Sequence, residues 1–134
     1  MSARKVLIEK ELGATPTEIE SQVVDILVIN KFAKKHILFL RPNREKGSRT
    51  PDIHVDDDLR WEIKSVEKNG KYTLDHAERA GLKQSENLIF DLRKLKKYDE
   101  EKITRTLKKD FRITKKWRRL IIITREEGVL TCEK

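Results

Sequence analysis

Thr50-Pro51-Asp52-Ile53-His54-Val55-Asp56-Asp57-Asp58-Leu59-Arg60-Trp61-Glu62-Ile63-Lys64-Ser65 is the stretch from which this chain is read. Ile53 and Val55 alternate with Asp52 and His54, and Leu59, Trp61 and Ile63 alternate with Arg60, Glu62 and Lys64. A period of two marks strands with one buried face, so the stretch predicts two short strands joined by a turn at Asp56, Asp57 and Asp58. A loop of that length sets Val55 opposite Leu59, Ile53 opposite Trp61 and Asp52 opposite Glu62. Side chains so opposed have Cβ atoms roughly 4.5–5.5 Å apart, and two like charges there destabilise the sheet unless something neutralises them. A divalent cation does so.

Mg²⁺ is usually held by one or two carboxylates, with water and phosphate oxygens filling its shell. Asp52 and Glu62 therefore suffice as acidic ligands, and the Ile63 carbonyl can add a third oxygen. Lys64 projects from the same face as Glu62, where an ammonium group can orient an attacking water and offset charge building on a phosphate. These residue types at this spacing predict metal-assisted phosphodiester hydrolysis with Mg²⁺ or Mn²⁺.

Pro51-Asp52, a short gap and then Glu62-Ile63-Lys64 resemble the signature of the PD-(D/E)XK nuclease superfamily. The resemblance implies an α/β (α+β) fold with a restriction-endonuclease-like core. Its expected sheet is mixed, of about four to six strands, and flanked by helices.

Working toward the N-terminus, residues 1–14 form an amphiphilic lead-in ended by Gly13, with no role assigned. Thr15-Pro16-Thr17-Glu18 then reads as a helix start, with Thr15 as cap, Pro16 at the first helical position and Glu18 closing a capping box. Ile19, Val23, Ile26 and Leu27 make the buried stripe. Glu20 lies at the edge of that stripe. It is either an exposed helix glutamate or, as in the superfamily, a first-helix acid that completes the acidic cluster. Residues 36–40 suit a short strand stopped by Arg41, Pro42 and Asn43. Arg44, Lys46 and Arg49 follow in a basic loop leading into Asp52, where they either touch substrate phosphates or are simply solvated.

Toward the C-terminus, residues 67–71 read as a turn, and a helix starts near Thr73 or Asp75, the latter boxed with Glu78. Ala77, Ala80, Gly81 and Gln84 share one face, a small-residue strip suited to close approach on the sheet. Gln84 is polar on that inward face and needs a partner, either nearby backbone or, by the superfamily resemblance, the active site. Residues 87–92 form a strand reached by a crossover, hence parallel to its neighbour. Asp99 caps the last helix, whose inner stripe is Ile103, Leu107 and Phe111. In Lys115-Lys116-Trp117-Arg118-Arg119 the cations, Arg118 among them, can neutralise phosphates, while Trp117 either stacks on an unpaired base or anchors the next strand in the core. Residues 120–124 are that strand, and 128–132 a weaker terminal one.

The chain has 134 residues, read as a single domain over 1–134. Charged residues make up 40% and the net charge is +8, which suits a polyanionic partner. The apolar residues fall in periodic clusters, which argues against global disorder. Cys132 is the single cysteine, so neither an intrachain disulfide nor a cysteine zinc site is expected. No apolar run approaches membrane-spanning length, and no signal-peptide apolar region is evident, so a membrane role is not expected.

A closer likeness lies in Leu82-Lys83-Gln84-Ser85-Glu86-Asn87-Leu88-Ile89-Phe90-Asp91-Leu92 following Trp61-Glu62-Ile63-Lys64-Ser65. This is similar to the transfer-RNA-cleaving C-terminal toxin domains of contact-dependent growth inhibition systems. The resemblance implies a nuclease with Asp52, Glu62 and Lys64 at the reaction, assisted by Glu20 or Gln84. Lys46, Arg49, Lys83, Trp117 and Arg118 are the candidate substrate contacts. RNA, transfer RNA above all, is expected over DNA, together with an immunity protein and a site of action in the cytoplasm after release from a larger surface toxin. The alternatives are a restriction-like or repair-like DNA nuclease and a non-catalytic basic nucleic-acid-binding module.

Overall fold

The computed structural model describes residues 6–41, 52–56, 59–67 and 72–134. Its elements run β1 (Leu7–Lys10), α1 (Glu18–Ile29), β2 (His36–Phe39), β3 (Ile53–Val55), β4 (Leu59–Ser65), α2 (Thr73–Leu82), β5 (Asn87–Asp91), α3 (Lys97–Ile113), β6 (Arg119–Ile123) and β7 (Val129–Glu133). The strands join in one mixed seven-stranded sheet whose spatial order is that of the chain. β1 with β2, β4 with β5 and β5 with β6 are parallel, and the remaining neighbours are antiparallel.

The α/β (α+β) expectation holds, with one strand beyond the expected range because the lead-in folds as β1. All four β1 residues are exposed. Leu7 and Ile8 are 57% and 43% exposed, so the strand carries no in-and-out alternation to read.

The hairpin has the expected register: Val55 faces Leu59, His54 faces Arg60 and Ile53 faces Trp61. Asp56 follows β3 with φ of 54°, in the left-handed region that aspartate tolerates better than most residues. Its carboxylate accepts backbone N–H bonds from Lys34, Lys35 at 2.7 Å and His36 at 3.0 Å. Burial opposes its ionisation, but these donors outweigh burial and hold the carboxyl below its ordinary value. The turn is thereby tied to the start of β2.

Alternation along β5 and β6 divides the core between the two faces of the sheet. Val23, Val24, Ile26 and Leu27 of α1 pack with Ile37, Ile53, Trp61, Ile63, Ile89 and Ile121. On the other face, Leu74 of α2 and Ile103, Leu107 and Phe111 of α3 pack with Leu88, Phe90, Leu120 and Ile122. Gly81 allows α2 its close approach, since a Cβ there would lie 2.9 Å from Leu88 Cδ2.

Helix starts differ from the sequence reading. The cap of α1 is Thr17, not Thr15, and its box closes at Glu20 rather than Glu18. Of the two starts considered for α2, Thr73 is found. Asp75 lies in the first turn, paired with Arg79 at 3.1 Å, and Glu78 turns inward instead of closing a box. α3 begins at Lys97, so Asp99 sits within its first turn rather than capping it. Among the described residues no helix is long and apolar enough to cross a membrane.

Candidate functional site

β4 changes partner halfway along its length. Through Leu59, Arg60 and Trp61 it pairs with β3, and from Glu62 to Ser65 it pairs with β5. Where β3 leaves the ladder, the Ile63 N–H would lose its acceptor, and Asp52 Oδ2 takes that bond at 2.9 Å. The main-chain carbonyl of Asp52 accepts from the Leu40 N–H at 3.0 Å. Asp52 is therefore held by the strands on both sides at the point where the sheet opens.

Glu62, one residue beyond the last paired position of the hairpin, is only 3% exposed and close enough to Asp52 to perturb it. Its Oε2 lies 3.3 Å from Lys64 Nζ, while its Oε1 is buried and receives no hydrogen bond. Glu20 comes from α1, where its Oε1 accepts from the Thr17 N–H at 2.8 Å and its own N–H donates to Thr17 Oγ1 at 3.1 Å. The capping box fixes the side chain and leaves its carboxyl near enough to Asp52 for the two charges to oppose each other. Glu18 instead accepts from Gln22 Nε2 at 3.2 Å.

The three carboxyls resist ionising together. Burial, then the hydrogen bond and charge of Glu62, push Asp52 up to about 7, against the opposing bonds from Ile63 and Glu20. Glu62 is raised by burial and by the charge of Glu20, with Asp52 and Lys64 acting in the other direction. Glu20 is raised first by burial and further by Asp52. At neutral pH part of this cluster retains a proton unless a cation takes its place.

A hard divalent cation fits such a set of donors. All are oxygens, one or two carboxylates are the usual acidic complement for Mg²⁺, and Glu62 Oε1 is a buried acceptor with no donor among the described residues. Among the described residues no three acidic, histidine or cysteine side chains form a ready-made cage. Water and substrate oxygens would thus have to complete the shell. A cleft of about 80 Å³, lined by Thr15, Pro16, Glu20, Phe39, Leu40 and Asp52, opens beside the acids.

Gln84 sits in the turn after α2, its backbone N–H bonded to the Gly81 carbonyl, and among the described residues no hydrogen bond joins its side chain to Asp52, Glu62 or Lys64. Lys83 and Arg118 are exposed, and the Arg118 N–H donates to the Glu86 carbonyl at 2.8 Å. Trp117 is a correction: it is fully buried, packs against Phe90 and Phe111, and gives its indole N–H to the Arg119 carbonyl. It anchors the core and has no face open to a base. Arg44, Lys46 and Arg49 lie outside the described residues.

One group beside the site escaped the sequence reading. Asp91, at the end of β5, is fully buried, and Arg93 grips both of its oxygens through Nε at 2.9 Å and Nη2 at 2.8 Å. A carboxylate closing an apolar strand, with an arginine two residues on, was the available signal.

The chain's structure resembles the "CdiA-CT/CdiI toxin and immunity complex from Burkholderia pseudomallei" with a TM-score of 0.53 and 10% sequence identity, covering 94% of this chain and 99% of that one. At that identity the likeness speaks for the fold. No curated protein matches. The family model for the contact-dependent growth inhibition CdiA C-terminal domain matches residues 49–129, from just before Asp52 into β7 and well over half of the chain. The chain therefore belongs to the family of CdiA C-terminal domains of contact-dependent growth inhibition.

Proposed function

We propose that this domain is a toxin nuclease of the PD-(D/E)XK type that hydrolyses phosphodiester bonds of RNA, transfer RNA in particular, with Mg²⁺ or Mn²⁺ between Asp52 and Glu62. The observation that carries this reading is the acidic cluster itself: coupled carboxyls at the opening of the sheet, an unsatisfied Glu62 Oε1, and Lys64 at 3.3 Å. A cation bound there would polarise a phosphate oxygen and lower the pKa of a bound water. Asp52 and Glu62 would hold it, Glu20 would add negative charge from the helix side, and Lys64 would direct its N–H groups at the attacking water or at the phosphate. The net charge of +8 suits the substrate class.

Membership of the CdiA family and a fold shared with a toxin from a toxin and immunity complex support two further parts of the reading. A dedicated immunity protein covers the domain, and its target is met in the cytoplasm after release from a larger surface protein. The test is cleavage of transfer RNA and of supercoiled plasmid DNA, with and without EDTA. Transfer RNA should be cut only with metal, and Glu62→Gln and Lys64→Ala should each slow the reaction by about a hundredfold or more. Cutting of plasmid alone would move the substrate to DNA. Binding without any cleavage would leave a basic binding module.

A further inference from the structure

The acids of the site come from two separate bodies, the β3–β4 hairpin and the first turn of α1, and something must hold these in register. Arg93 is placed to do so. Its Nε and Nη2 grip the buried Asp91 at the end of β5, and its backbone N–H donates to the same Asp91 Oδ1 at 3.1 Å. The remaining arm, Nη1, donates to Gln22 Oε1 on α1 at 3.1 Å, and Gln22 Nε2 donates onward to Glu18. Gln22 is two residues from Glu20. Ser65, the residue opposite Asp91 in the β4–β5 ladder, follows Lys64 directly.

We infer that Arg93 is a positioning residue, a strut that runs from Asp91 to Gln22 and fixes the first turn of α1 so that Glu20 meets Asp52. The physical case is one of rigidity. A guanidinium held by both oxygens of a buried carboxylate has lost its rotamer freedom, so its third arm is an oriented donor rather than a solvated one. The capping box sets the side chain of Glu20 relative to its own helix. Arg93 sets that helix relative to the sheet. Residues of this kind, behind the ones that touch metal or substrate, usually matter by roughly 10- to 100-fold in activity or metal affinity.

The inference rests on the nuclease reading for its kinetic arm and is independent of it for its structural arm. Gln22→Ala is the first variant, because Gln22 is exposed and its removal leaves the Asp91–Arg93 pair intact. Arg93→Lys is the second, since it keeps a charge beside Asp91 but loses the fork. Hydrogen exchange of amides 20–24 should quicken in both variants while β5 stays protected, and unchanged exchange overturns the strut. In cleavage, Gln22→Ala should lower the rate at saturating substrate by roughly threefold to tenfold, the size of one net hydrogen bond, with little change in KM. In a Glu20→Gln background neither variant should lower it further, because the strut acts through Glu20. A full additional loss in that background overturns the inference. A wild-type domain that cuts nothing refutes the nuclease reading, and the exchange measurement still decides the strut.

Discussion

Trp117 and Arg118 are chain neighbours with opposite fates. The indole lies against Phe90 and Phe111, with ring centroids 5.9 and 5.6 Å away, and its N–H is satisfied internally. Trp117→Ala should therefore cost about 3–5 kcal/mol in urea unfolding, as removal of a large core aromatic does. Arg118 is exposed, and Arg118→Gln should stay within about 0.5 kcal/mol of wild type. If Arg118 meets phosphate, that change weakens nucleic-acid binding at low salt and reduces the slope of log affinity against log salt by about one. A Trp117→Ala protein as stable as wild type would contradict its place in the core. Residue spacing alone did not separate these fates, because a tryptophan flanked by cations fits either a strand anchor or a stacking platform. The acids were more legible, since period-two alternation around a tight turn fixes which carboxylate opposes which. Glu20 was legible only in part. Thr15 with Glu18 and Thr17 with Glu20 offer capping boxes of identical spacing, and local chemistry does not rank them.

Between elements, the contact of α2 with α3 carries a buried acid. Glu78 is 6% exposed and faces Asp110. Burial, then the hydrogen bond and charge of Asp110 and the charge of Asp75, push its carboxyl up to about 9. The unfolded chain releases that proton near 4.5. Between these values the folded state binds the extra proton, so this group makes stability fall as pH rises through the window. Glu78→Gln should flatten that part of the stability profile and raise the midpoint of thermal unfolding at pH 8 relative to wild type. An unchanged slope from pH 5 to 9 would place the proton elsewhere. Asp56 works in the opposite sense: its carboxyl is held low, so its stabilisation is present above about 4 and lost as pH falls through its folded value. Asp56→Ala should loosen the hairpin turn from β2 at a cost of about 1–2 kcal/mol. Neither role was visible in sequence. A glutamate three residues after an aspartate reads as a capping box, and only the packing of two helices shows it turned inward. β1 was missed for a related reason, because an edge strand exposed along its whole length has no pattern of burial to betray it.

Across the whole molecule, the opening of the sheet is where the elements of the proposed site meet: the hairpin at Asp52, the helix start that carries Glu20, and Arg93 just after β5. The order of elements from α1 to β5 could be read from periodicity and breakers, whereas their mutual placement required the tertiary contacts. The central proposal is that Asp52 and Glu62 hold a cation, with Glu20 adding negative charge beside it. Thermal unfolding of the pure domain in EDTA and in a Mn²⁺ titration at pH 7 tests it most directly, in wild type, Asp52→Asn and Glu62→Gln. Ligand that binds only the folded state stabilises by about 2.7 kcal/mol at a hundred times its dissociation constant. Wild type should therefore gain several degrees as Mn²⁺ saturates, and the two variants should gain little or nothing. Equal gains in all three proteins, or none in wild type, would contradict the account.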